Sequence, residues 1–141
     1  MGRSLSYPAI VLGLSLACGS AFAGEAKKPE PGTTVEMMIL IAPMIVDGQI
    51  DNYAYISSAI LATSPAAAVD IRARAPFIQD AYVRDVNAAS IVKAGTPDAV
   101  DSDALTARLL ACARRIAGTA KVAGVRLTQV QVAPVRNAPN G

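Results

Sequence analysis

The chain has 141 residues, the size of one domain, with 13 basic against 11 acidic side chains and a formal net charge of +2. Hydrophobic residues make up 52% and charged ones 17%, which excludes a disordered chain, while the balanced charge lacks the clustered basic surface of a nucleic-acid binder. Aromatic residues are only 4% and Trp is absent, so the core has to be built from Ala, Val, Ile, Leu and Met.

The N-terminus reads as an export signal. Arg3 supplies a positive start, Tyr7 to Cys18 an apolar stretch, and Ala21-Phe22-Ala23 a small-x-small cleavage pattern with the cut after Ala23. Residues 1–23 are therefore expected to be a signal peptide. A retained signal anchor is the alternative, because Tyr7 to Ala23 reaches the lower limit of a membrane span. Lipidation at Cys18 is disfavoured by Ser15, which stands where a lipobox needs an aliphatic residue. The expected location is periplasmic after cleavage, or the inner membrane facing the periplasm if the signal stays. Cleavage leaves Cys112 as the only cysteine, expected to be a small buried helix residue.

Residues 24–34 carry Pro29, Pro31 and Gly32 among charges and read as a linker. The domain itself is expected over 35–132. It opens on the apolar run Val35 to Val46, whose lack of alternation predicts a strand covered on both faces, with Pro43 marking an edge or a bulge. Asp47-Gly48 predicts a tight turn into a second strand, Ile50 to Leu61, so that the two form an antiparallel hairpin. In that strand Ile56 and Ile60 share one face and Tyr53 and Tyr55 the other.

Thr63-Ser64-Pro65 signals a helix start. The segment from Ala66 to Val92 then carries two i,i+4 pairs, Asp70 with Arg74 and Asp80 with Arg84. Pro76 predicts either a kink or the junction of two helices. Beyond it, Phe77, Ile78, Ala81, Tyr82 and Val86 form an apolar stripe. Gly95-Thr96-Pro97 ends the segment. Asp101 or Ser102 caps a further helix with Asp103 in its first turn, and Leu105, Leu109, Cys112, Ala113 and Ile116 mark its buried face. Arg114, Arg115 and Gly118 suit its C-terminus. Val122 to Val132 reads as a closing strand, and 133–141 as a disordered tail.

Little in this chain points to catalysis. The absence of His removes the commonest general base and every His-based nucleophile pair or metal site. No phosphate-binding loop, dinucleotide fingerprint or nucleophile elbow is present. Asp98, Asp101 and Asp103 lack the glycine and downstream Glu of a calcium loop, so capping and solvation explain them better. Met37, Met38 and Met44 read as core fillers. No catalytic, cofactor-binding or metal residue is assigned and no cofactor is expected. Arg72, Arg74 and Arg84 are the candidate partner-interface residues, as a basic face on the first helical region.

The order from Val35 to Val132 resembles the periplasmic region of the flagellar basal-body-associated FliL family. The resemblance is carried by the strand and turn from Ile39 to Asp47-Gly48, the strand Tyr53 to Leu61, and the pattern Ala75-Pro76-Phe77-Ile78-Gln79-Asp80-Ala81. It continues through the leucine-bearing helix Ala104 to Ile116 and the approach Val122-Ala123-Gly124-Val125-Arg126-Leu127. The resemblance implies an α+β fold of stomatin type, a small antiparallel sheet packed against two to three helices. It also implies a non-enzymatic accessory protein of the flagellar basal body or stator, active in motility and chemotaxis through protein–protein association. Stator or basal-body proteins and a homo-oligomer are the implied partners, with no nucleic acid. The family keeps a transmembrane anchor where this chain shows a cleavable signal. A periplasmic module binding a small molecule or an envelope polymer is the alternative function.

Overall fold

The long strand Gln49–Ala62 (β3) is the centre of the fold, and every other strand of the main sheet pairs with it. The structure, a computed structural model, describes residues 30–135. The expected signal, Cys18, most of the expected linker and the end of the expected tail lie outside the described residues. In chain order the other elements are β1 (Thr34–Glu36), β2 (Leu40–Val46), α1 (Pro65–Ala88), β4 (Val92–Lys93), β5 (Thr96–Val100), α2 (Ser102–Ala117) and β6 (Val122–Pro134). Strands β1 and β2 lie end to end along one side of β3 and β6 lies along the other, all antiparallel. β4 and β5 form a separate small hairpin. The fold is thus α+β, an antiparallel sheet of four strands plus a hairpin packed against two helices.

Local chemistry explains most of these elements. Asp47 and Gly48 both adopt positive φ, 49° and 78°, which the tight hairpin between β2 and β3 requires and which Asp and Gly tolerate. Ser64 caps α1, its hydroxyl accepting from the Ala67 N–H at 3.0 Å, with Pro65 supplying the first helical residue. Ser64→Ala is expected to lower stability by about 1 kcal/mol in chemical denaturation, the usual cost of a lost N-cap. Asp101 caps α2 in the same way and Gly118 ends it at a φ of 104°.

The helices cover one face of the sheet. Ala54, Ile56 and Ile60 of β3 lie under them, with Leu40, Ala42 and Met44 of β2 beside them. Ile71, Ile78 and Tyr82 of α1 and Leu105 and Leu109 of α2 complete this core. Tyr53 and Tyr55 point to the opposite face, as alternation requires.

That one-sided coverage corrects the reading of the first strand. It is two strands, not one, and its outward residues are open to solvent: Met38 is 75% exposed, Ile39 62% and Ile41 52%. The break has a counting origin. Glu36 opposes Ala59 and Leu40 opposes Ile56, so the β1–β2 side carries one residue more than β3 across the same span. The surplus bulges outward at Met38–Ile39, and Met38 is not the core filler its composition suggests, unlike Met37 and Met44.

Other expectations also shift. Pro76 neither splits nor ends α1, which runs through it with Pro76 on its exposed side. Phe77 is 67% exposed because it lies one residue off the row made by Ile71, Ile78, Tyr82 and Val86. Asp70 pairs with Lys121 at 2.7 Å and not with Arg74, whereas the Asp80–Arg84 pair forms at 3.0 Å. Ile116 is only partly buried. Gly95-Thr96-Pro97 ends the helical segment as expected but within a hairpin, Gly95 lying in the turn and Thr96 and Pro97 opening β5. At the two ends, Thr34 belongs to β1 and Ala133 and Pro134 to β6, so the ordered sheet extends into both the expected linker and the expected tail.

Candidate functional site

The three arginines singled out in the sequence do not gather on one face. Arg72 and Arg74 stand two residues apart on α1, so the helix turns them to different sides. Arg72 Nη2 donates to the Thr34 carbonyl at 3.2 Å and Arg74 Nη1 to the Ile116 carbonyl at 3.0 Å, at the end of α2. Arg84 holds Asp80 further along the helix. All three remain solvent-exposed while serving the fold.

The arginine that organises the helix pair is one that the sequence reading passed over. Helix α1 ends without a basic residue in its last turn and without a left-handed glycine cap, Ala89 being extended. Its terminal carbonyls therefore need donors from elsewhere. Arg108 of α2 supplies them: Nη2 reaches the Asp85 and Ala89 carbonyls at 2.9 and 3.1 Å, and Nη1 the Ser90 carbonyl at 2.9 Å. The same guanidinium clasps the Asp85 carboxylate, with Nε at 2.9 Å and Nη2 at 2.8 Å. Arg114 does a smaller version of this at the start of β6, donating to the Val122 and Ala123 carbonyls. The missing cap on α1 was the one signal in the sequence that such a donor had to exist.

Beside Arg108, an open groove of about 370 Å³ runs between α1 and α2, with Phe77, Asp80, Arg84, Asp85, Cys112 and Arg115 on its walls. Burial, aided by the Asp85 charge and opposed by Arg115 and Arg108, raises the Cys112 thiol above its ordinary value. A buried, protonated thiol is a poor nucleophile and behaves as a small apolar residue. Asp98 accepts a hydrogen bond from Asn52 at 3.3 Å and Asp101 is engaged at the α2 cap. Among the described residues no three metal-ligating side chains converge, and no helix is long and apolar enough to cross a membrane.

Tyr82 is fully enclosed and its hydroxyl has no hydrogen-bond partner. Burial holds that hydroxyl in its neutral form well above the usual tyrosine range. Because the folded-state value is raised, the unfolded chain loses this proton first, and stability falls as pH climbs past about 10. Tyr82→Phe removes an unsatisfied buried group, so it is expected to leave stability at neutral pH unchanged or raise it by up to about 1 kcal/mol. It should also flatten the alkaline decline, which urea melts at neutral pH and above pH 10 would measure.

The surface most open to a partner is the uncovered face of the sheet. Ile41 stands opposite Tyr55, with Gln131 on the far side of Tyr55, and Pro43 stands opposite Tyr53. Ile39, Ile45 and Ile50 are further exposed apolar residues of β2, its approach and β3, Ile45 lying beside Ser90 and the end of α1. Neither a protein-family model nor a curated protein matches the sequence.

Proposed function

We propose that this chain is an exported, non-catalytic accessory protein of the flagellar basal body or stator that acts by protein–protein association. One observation supports association above all: the helices cover a single face of the sheet, and Ile41 and Tyr55 are left exposed on the other side. Exposed apolar groups grouped in this way characterise interaction surfaces. The motility assignment draws on the FliL-like order of elements between Val35 and Val132. Deleting the gene in its host and scoring swimming tests it; the expected result is impaired swimming, and wild-type swimming with normal flagellar rotation overturns the flagellar role.

A periplasmic binding module is the second reading, favoured by an apolar hollow of about 320 Å³ beside Pro76. Met37, Met38 and Ala75 line it, and Gln79, also on its wall, has a buried side-chain oxygen without a partner. Thermal stabilisation by a small amphiphile, abolished by Ala75→Phe, would favour this reading over association.

A further inference from the structure

We infer that the free edge of β6 is a self-pairing edge, at which a second copy of this chain adds antiparallel through Gln129–Ala133 to make one continuous sheet. The inference goes beyond the proposed function and stands on the geometry of the edge, whatever the motility role.

The main sheet has two outer edges and they differ. Tyr53 of β3 lies opposite both Ala133 and Pro43. On the β6 side the register is marked by the Val135 N–H, which donates to the Asp51 carbonyl at 3.0 Å across the Pro134–Asn52 pair. Alternation in an antiparallel ladder then makes Ala133–Tyr53, Gln131–Tyr55 and Gln129–Ser57 the hydrogen-bonded pairs. Tyr53 thus spends its backbone groups on β6, and Pro43 faces its nitrogen outward along the β2 edge, where it has no hydrogen to donate. The register shift at Met44/Ile45 and the outward bulge at Met38–Ile39 disrupt that edge further. It is guarded against strand addition.

Between Thr128, where a register shift ends, and Pro134, whose nitrogen likewise faces outward, the β6 edge has no such guard over Gln129–Ala133. The same alternation leaves Val130 and Val132 with their N–H and C=O groups pointing away from β3. No charged residue stands between Arg126 and the end of the strand, and no other described strand pairs there. An unguarded edge of this kind is a template for another strand.

The choice of a second copy follows from the pattern of the segment. Gln129-Val130-Gln131-Val132-Ala133 read antiparallel against itself with Gln131 on the twofold axis sets Val130 opposite Val132 of the second copy, and Val132 opposite its Val130. Both pairs are outward-facing, so each exchanges two backbone hydrogen bonds. The valines then lie together on the helix side of the sheet, where Val130 is now 37% exposed. The two Gln131 side chains meet on the other side, and no charged residue lies within the paired segment Gln129–Ala133. The contact is short, so the dimer belongs to the weak class of interfaces.

Cysteine cross-linking of the full chain tests the register. At the centre of the paired edge Gln131 meets its own copy in a non-hydrogen-bonded pair with Cα atoms about 4.5 Å apart, inside the range a disulfide spans. Gln131→Cys under mild oxidation is expected to give about tenfold more covalent dimer than Gln129→Cys, whose two copies lie too far apart to bridge. The wild-type chain alongside shows whatever Cys18 and Cys112 contribute. Sedimentation of the wild type should show a reversible dimer below about 1 mM, and Val130→Pro, which takes no donor from β3, should weaken it about tenfold with its circular dichroism unchanged. Equal cross-linking at the two positions, none at Gln131, or a wild-type chain monomeric up to that concentration overturns the proposal. None of these readings depends on swimming, so the dimer and the flagellar role fail separately.

Discussion

Arg108→Ala is expected to cost about 3 kcal/mol of folding stability, seen as a lower urea midpoint with little change in the slope of the transition. The loss has two parts. Asp85, with its side chain only 25% exposed, is left without a partner for its carboxylate, and the carbonyls of Ala89 and Ser90 lose their donor, while that of Asp85 keeps only the Ala89 N–H. Lysine is a poor substitute, because one ammonium cannot reproduce a planar fork that serves a carboxylate and several carbonyls at once. Arg108→Lys should therefore recover less than half of the loss. Arg84→Ala is the control: its pair with Asp80 is well exposed on both sides, and its removal should change stability by no more than about 0.5 kcal/mol.

Ile56→Ala is expected to cost about 3 kcal/mol, the middle of the range for emptying a fully buried aliphatic site. Ile56 lies in the middle of the central strand, with Leu40 on one side, Val130 on the other and no solvent contact. β-Strand neighbours held by ladder hydrogen bonds on both sides cannot collapse far into the vacated space. Ile41→Ser, on the uncovered face of the adjacent strand, should change stability by about 0.5 kcal/mol or less in the same melts. The contrast between the two isoleucines measures how one-sided the core is. A domain near the lower end of ordinary stability, about 5 kcal/mol, would survive either Ile56→Ala or Arg108→Ala but not both.

Features set by neighbouring residues were legible from the sequence. Asp47-Gly48 could only be a tight turn, Ser64-Pro65 could only begin a helix, and the spacing of Leu105, Leu109 and Cys112 placed the inner face of α2. What escaped depends on partners distant in the chain. A run such as Met37 to Ile41 reads as buried on both faces, but burial is decided by how many layers pack on the sheet, and here only one does. The β4–β5 hairpin was missed because strands of two and five residues carry too little alternation to be recognised. The candidate arginines were chosen as a helical group, yet each is drawn to a different neighbouring element, Thr34, Ile116 or Asp80. Arg108 went unnoticed for the mirror-image reason, since the need it meets lies on another helix.

The position of β3 has a consequence for how the chain matures. Its partners lie on opposite sides of it in the chain: β2 directly precedes it, while β6 is the last of the described strands. Emerging from the N-terminus, the chain can close the β2–β3 hairpin at once, yet β3 keeps a bare side until both helices and the β4–β5 hairpin have appeared. Such distant pairing slows closure and makes it the final cooperative event. A chain emerging N-terminus first would thus keep β3 open along one side until β6 arrives.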